Sequence, residues 1–401
     1  MKIETLAIGD ELLTGKIADT NSAFVADLLF SHGHRLENIS VIADTIQALH
    51  EKMRECAKRA DVVICFGGLG PTSDDKTAEA VAKLIQVKVV QHEASKERLL
   101  KFYRSRNREV IPATLKQVLY PEGTDPLKNS VGLAPGFHLV FEATNFYFLP
   151  GVPQEMKAMF QNEVLPQIKG EEMLSHQWKC LGVWESELQQ LMDPIEAVLP
   201  TNAYLGYRTR FPENHLTLYW KGQDEAKFEG WVRKIREILE PFTYTEEKAE
   251  IESLILHRLR EKNLKVAFAE SCTGGLAVHR LTQIAGASDF VWGGVIAYRI
   301  EAKKKLLGIS VDSIEEAVSA DVAREMAESV KRVSGCEIGA AITGFMGPDS
   351  GTPENPAGTI YLCVSGKEKI EKKHQLAIRE RSQTQWGAAT YLLAALYQLL
   401  E

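Results

Sequence analysis

In the first 170 residues, short apolar runs bounded by glycine or aspartate alternate with amphipathic stretches, and few architectures accommodate that alternation. Ile3–Ile8, Asn38–Ala43 and Asp61–Phe66 read as strands, and Asn21–His32, Thr45–Lys58 and Asp75–Leu84 as helices. Strand, helix and strand in succession make a βαβ unit, which sets the strands parallel with helices on the faces. Phe146–Leu149 adds a late strand, and Pro153 suits the first turn of a helix running to Pro166. From about Lys169 the pattern changes to a small α+β unit: Gln177–Leu181, Ser186–Val198, Ala203–Tyr207, Leu216–Trp220 and Ala226–Leu239. A third segment is α/β again. It runs through Ile251–Lys262, Lys265–Ala269, Thr273–Thr282, Phe290–Tyr298, Ser319–Val333, Glu337–Ile342, Thr359–Val364 and a terminal helix. The expected domains are 1–168, 169–247 and 248–401.

The 401 residues accommodate two or three such domains, at roughly 100–200 residues each. With 47 Lys and Arg against 54 Asp and Glu the net charge is −7, so no long-range field attracts a polyanion, and direct nucleic-acid binding is not expected. The dense basic stretches, Lys96–Arg108 and Lys303–Lys305, are interleaved with acids or apolar residues and read as solvated helix faces. Six cysteines show no CxxC pair, so neither a zinc site nor a disulfide framework is written here and a reducing compartment is expected. Glu4, Asp10 and Glu11 interrupt what would have to be the apolar core of a signal peptide. The uncharged stretch Ser382–Leu400 is broken by Gln383, Gln385, Gly387 and Gln398, and reads as a packed helix. A cytoplasmic protein without a membrane span is expected.

Two glycine-rich turns carry the candidate chemistry. Gly67-Gly68-Leu69-Gly70-Pro71-Thr72-Ser73-Asp74-Asp75-Lys76-Thr77 follows the strand Asp61–Phe66 and leads into a helix. Glycine lets backbone amides approach an anion, and a helix N-terminus adds about half a positive charge. Asp74 and Asp75 either cap the helix or hold a hard cation such as Mg²⁺ against a phosphate. Gly9-Asp10-Glu11 and Asn21 sit after the first strand, so in a parallel sheet they emerge at the same end. The second turn, Glu270-Ser271-Cys272-Thr273-Gly274-Gly275, follows the strand Lys265–Ala269. Ser271 is either an N-cap or a nucleophile whose oxyanion would be met by amides of the first helical turn. His257, His279 and His374 lie away from the loop ends, whereas a buried lysine serves as a base once its pKa falls.

Gly9-Asp10-Glu11-Leu12-Leu13-Thr14-Gly15, Asp19-Thr20-Asn21, the run Gly67–Thr77 and Leu149-Pro150-Gly151-Val152-Pro153-Gln154-Glu155-Met156 together resemble the N-terminal half of the CinA proteins, with its molybdopterin-binding fold. Ala269–Gly275, Gly293-Gly294-Val295-Ile296-Ala297-Tyr298 with Lys303, the run Thr343–Asp349, and Pro356-Ala357-Gly358-Thr359 are similar to the CinA C-terminal domain, the nicotinamide mononucleotide deamidase family. The segment from 170 to 245 resembles the family's KH-like connector, with Tyr204-Leu205-Gly206-Tyr207-Arg208 as a weak anchor. It has no GXXG loop and reads as structural or dimerising, although Arg208 and Arg210 could instead serve the N-terminal pocket.

The resemblance implies an α/β chain: a molybdopterin-binding-like parallel or mixed sheet, an α+β connector and an α/β deamidase domain. It implies hydrolysis of nicotinamide mononucleotide to nicotinate mononucleotide and ammonia. Ser271 would be the nucleophile, Lys303 the base, Tyr298 the group orienting that pair, and Thr343 a donor to the oxyanion. Gly274, Gly275 and Gly344 would border the substrate, and Arg381 its 5′-phosphate. No cofactor is implied there. At the N-terminal site the family implies hydrolysis of ADP-ribose to AMP and ribose 5-phosphate. Gly67, Gly68, Gly70, Thr72, Asn21 and Thr77 would bind that substrate, and Asp10, Asp74 and Asp75 a divalent metal, with K⁺ as activator. Its partners would be small nucleotides and a second copy in a homodimer. Four positions depart from the family pattern: Arg299 and Ile300 after Tyr298, Asn355 where a lysine is usual, and Gln385 where a second arginine is usual. The alternatives are a nucleotide- or pterin-binding protein of competence or DNA-damage responses, and a chain with only one active site.

Overall fold

A computed structural model describes every residue except Glu171, Glu172 and Asp349, and omits the side chains of Ile314 and Glu315. The chain forms two compact units. The first comprises Met1–Leu174 with Lys221–Gln223, and the second Ser175–Trp220 with Asp224–Glu401. The connector is therefore packed as part of the second unit.

The first unit is built on a six-stranded mixed sheet. Its central strands Ile3–Ile8 and Val62–Phe66 are buried along their whole length, as strands covered on both faces must be. Leu36–Ile42 flanks the first and Thr144–Leu149 the second, all parallel. The antiparallel strands Gly136–Phe141 and Asp125–Leu127, absent from the sequence reading, extend the sheet beyond Thr144–Leu149. Two apolar clusters, one on either face, hold the helices: Leu49 and Met53 belong to one, Val25, Leu29 and Met156 to the other. The helix expected to run unbroken from Pro153 to Pro166 is regular only over Pro153–Met159.

The connector is a sheet of Ala203–Arg210, Glu213–Lys221, Met173–Cys180 and Thr243–Thr245 in that order, flanked by the helices Glu185–Glu196 and Glu225–Leu239. The remaining sheet runs Val291–Ile296, Val266–Glu270, Ile338–Gly344, Thr359–Ser365, Lys369–Gln375. Its first three strands are parallel and its last two antiparallel. The terminal helix Arg381–Leu400 is buried over most of its length against one face, where Leu392, Leu393 and Leu396 meet Ile255, Phe268 and Leu362. Its uncharged sequence is thus a core face. Among the described residues no helix is long and apolar enough to cross a membrane.

Both main sheets contain a switch point. Val266–Glu270 connects onward to the strand on one side and Ile338–Gly344 to the strand on the other, which opens a crevice between their carboxyl ends. Ile3–Ile8 and Val62–Phe66 diverge in the same way. The helix Ala320–Ser334 lies so close to Ile338–Gly344 that a methyl group at Gly339 would run into the carbonyl oxygen of Ala327. Gly339→Ala should therefore destabilise the protein by about 1–3 kcal/mol, seen as a lower urea midpoint by circular dichroism.

Candidate active site

The second crevice brings Ser271 and Lys303 together. Ser271 follows the strand Val266–Glu270, and its amide donates to Ile342 O of the neighbouring strand at 3.1 Å. On the other side Ala297 N donates to Glu270 O, which fixes the Ala297 peptide beside the serine. Lys303 projects from the helix Ile300–Leu307 with only 2% of its surface exposed. Its Nζ lies 2.8 Å from Ser271 Oγ and 2.7 Å from Ala297 O. Burial brings this amine down from 10.5 to about 8. When neutral, it gives one N–H to Ala297 O and keeps a lone pair for the serine proton. The expected pair is thus assembled, and what orients it is a backbone carbonyl.

Tyr298 has a different place. It is largely exposed, and its hydroxyl accepts from Arg381 Nη2 at 3.0 Å rather than touching Ser271 or Lys303. Arg381 also donates to Gly347 O at 3.1 Å, so tyrosine and arginine together span the mouth of the pocket. Thr343 lines the pocket, but its hydroxyl donates to Ala317 O at 2.8 Å. That proton is committed to the fold, not to an oxyanion. Gly344 lines the pocket too. Gly274 and Gly275 do not; they form the left-handed turn, with φ of 65° and 98°, that leads into the helix Leu276–Thr282.

Sequence reasoning missed Glu270. It is 1% exposed and accepts from Thr273 Oγ1 at 2.6 Å and from the amides of Gly275, Ala277 and Val278. Its carboxylate therefore caps the helix that the serine was expected to cap, and takes up the first-turn amides expected to meet an oxyanion. The amides of Cys272 and Thr273 remain: among the described residues no oxygen accepts from either. The only signal in the sequence was an acid at the end of an apolar strand.

This pocket has a volume of about 580 Å³, and among the described residues Arg299, Lys303 and Arg381 line it against one acid, Glu301. The N-terminal pocket, about 480 Å³, has the opposite character: Glu11, Asp19, Asp44, Asp74, Asp75 and Glu155 line it, without a lysine or arginine. Gly67, Gly68, Gly70, Thr72 and Asn21 line it as expected. Asp10 and Thr77 lie outside it. Thr77 is buried, with its hydroxyl on Gly67 O at 3.0 Å, and it ties the helix Thr77–Leu84 to the glycine turn. Asp75 accepts from both the amide and the hydroxyl of Thr72, and Asp74 from Ser73 Oγ. Neither caps that helix. Asp44, which the sequence reading passed over, has its carboxyl pushed up by burial and by the charges of Asp10, Asp74 and Glu11. Among the described residues no three His, Cys, Asp or Glu side chains are grouped to hold a metal ion.

Models of a probable molybdopterin binding domain and of the CinA C-terminal domain match residues 4–170 and 248–400. A CinA-like protein of Citrifermentans bemidjiense is 35% identical over 390 residues, which cover 95% of this chain and 94% of that protein. The chain belongs to the CinA family. A putative competence-damage inducible protein of Halothermothrix orenii is 35% identical, over 100% of this chain and 99% of that one. A solved CinA structure from Thermoplasma acidophilum, 30% identical, covers 42% of this chain and 98% of its own, with a TM-score of 0.38.

The positions that depart from the CinA pattern are all accommodated. Gln385 Nε2 donates to Cys272 O at 2.9 Å, beside the serine. Arg299 turns to Glu301 at 3.1 Å, Ile300 lines the pocket, and Asn355 Oδ1 accepts from Tyr361 OH at 2.7 Å. Asp349 lies outside the described residues. The lowered Lys303 pKa has a consequence for stability. Between about pH 8 and 10.5 the unfolded chain holds a proton on this residue and the native chain does not, so its contribution to stability rises with pH across that window. Relative to Lys303→Met, the wild type should gain stability on the order of 3 kcal/mol over the window, measured as urea midpoints at stepped pH.

Proposed function

We propose that the C-terminal site hydrolyses the carboxamide of nicotinamide mononucleotide, releasing ammonia. The observation that carries this reading is the 2.8 Å contact between a serine hydroxyl and a buried amine brought to about 8, in a crevice rimmed by arginine. Neutral Lys303 takes the proton of Ser271 Oγ as that oxygen attacks the carboxamide carbon. The amides of Cys272 and Thr273 receive the oxyanion. Lys303 returns the proton to the departing nitrogen, leaving a nicotinoyl ester on Ser271, then takes a proton from the water that attacks the ester and delivers it to Ser271 Oγ as that oxygen leaves, which restores the neutral amine. Arg381 would exchange Tyr298 for the substrate's 5′-phosphate.

Ser271→Ala and Lys303→Ala should each lower ammonia release by roughly 10³-fold or more while leaving the circular dichroism spectrum unchanged. Because the neutral amine is the working form, kcat/KM should rise with pH and level off above an apparent pKa of about 8. A rate flat from pH 6 to 9 would contradict the assignment.

For the N-terminal pocket we propose hydrolysis of ADP-ribose to AMP and ribose 5-phosphate. The carboxylates support this reading with one condition: no Lys or Arg is among the described lining residues, and Lys116 is engaged on the carbonyl of Thr72. A diphosphate can enter so acidic a pocket only with a cation, and Mg²⁺ is commonly held by one or two carboxylates together with substrate phosphates. Both substrates arise where NAD is consumed. A chelator should abolish ADP-ribose cleavage and leave ammonia release from nicotinamide mononucleotide unchanged; equal loss of both would contradict the division of chemistry.

A further inference from the structure

The connector's hairpin ends against the start of the terminal helix, whose Arg381 lines the C-terminal pocket. Ala203–Arg210 and Glu213–Lys221 pair antiparallel up to Arg210 opposite Glu213, which leaves Phe211 and Pro212 as the tip. The hairpin is held firmly: Arg210 Nη1 reaches Glu250 Oε1 at 2.6 Å, Asn214 Nδ2 donates to Val183 O at 2.7 Å, and Thr209 Oγ1 to Glu185 Oε2 at 2.8 Å. Arg210 is thereby engaged within the second unit, and Arg208 is exposed.

The Phe211 ring meets the start of the terminal helix at two points. The Arg379 guanidinium lies over it, 4.5 Å from its centroid. A methyl group placed at Gly387 would come within 3.1 Å of Phe211 Cε1 and 3.7 Å of Pro212 Cβ. Arg381 and Gln385 lie between those two points in the chain. Arg381 is the arginine at the pocket mouth, on Tyr298 OH and Gly347 O, and Gln385 holds the carbonyl of Cys272 next to the nucleophile. Glycine at 387 is what lets the ring sit against the helix, although glycine inside a helix costs stability.

The geometry points to Phe211 as a positioning residue of the C-terminal site, setting the first turn of the terminal helix so that Arg381 meets the phosphate of the substrate. This rests on the deamidase reading above. Phe211 touches no reacting atom. It acts through Arg381, so its removal impairs recognition of the phosphate rather than the proton transfers at Ser271 and Lys303.

The test uses the full chain with Phe211→Ala, Phe211→Tyr and Gly387→Ala, assayed with nicotinamide mononucleotide and with nicotinamide riboside, which lacks the phosphate. Phe211→Ala should raise KM for the mononucleotide about tenfold with kcat and its apparent pKa unchanged, leave the riboside parameters unaltered, and be restored by Phe211→Tyr. Gly387→Ala, which pushes the ring away from the other side, should shift KM in the same direction. Unchanged KM in both, or an equal loss on both substrates, overturns the proposal. Hydrogen exchange provides a readout that does not depend on the deamidase reading. If the wild type releases no ammonia, that reading fails, while the positioning proposal stands or falls on amide exchange over residues 381–387. Phe211→Ala should speed exchange there without lowering Tm, and unchanged exchange overturns it.

Discussion

The C-terminal half of this molecule depends on keeping one lysine out of water. Lys303 is 2% exposed, and desolvation brings its amine to about 8, in a pocket with no histidine among its described lining residues. The surrounding structure serves that condition. A parallel sheet puts Ser271, Ala297 and Thr343 at the carboxyl ends of neighbouring strands, and the helix after Ala297 turns the lysine back over the serine. Glu270, one residue before the nucleophile, absorbs the helix terminus that would otherwise attract an anion to the wrong spot. Arginine and tyrosine then span the entrance.

The two pockets solve opposite electrostatic problems on similar switch-point frames. The C-terminal pocket carries its own cations in Arg299 and Arg381, so a phosphate-bearing ligand would be drawn in despite a protein charge of −7. The N-terminal pocket gathers carboxylates from the segments that follow four parallel strands, including Asp44, whose carboxyl is raised by burial and by its acidic neighbours. On the proposed reading, a phosphate ligand there would bring a counter-charge with it. One pocket is therefore expected to respond to a chelator and the other to pH.

The strand ends were legible because apolar runs and glycine turns mark them: Ile3–Ile8, Val62–Phe66 and Val266–Glu270 fall within a residue or so of their expected places. Ser271 and Lys303 were legible only through the family motif, since nothing local separates Lys303 from the solvated Lys304 and Lys305. The misplacements share one cause. Hydroxyls at Tyr298 and Thr343 find their partners in distant segments, in Arg381 and Ala317, and that of Thr77 turns back onto its own glycine loop at Gly67; no spacing in the sequence encodes such pairs. Glu270 pairs locally, with groups three to eight residues downstream, and nothing but its place at a strand end marks it. Phe211 acts through atoms that only tertiary packing brings near it.

The central claim is that Ser271 becomes esterified, and it is tested most directly by acid-quenching the protein within its first turnovers on nicotinamide mononucleotide and mapping peptides by mass. The account predicts a nicotinoyl mononucleotide adduct on the peptide containing Ser271, formed in step with the first ammonia and absent from Lys303→Met. Turnover with that serine unmodified at every quench time, or an adduct on another side chain, would contradict it.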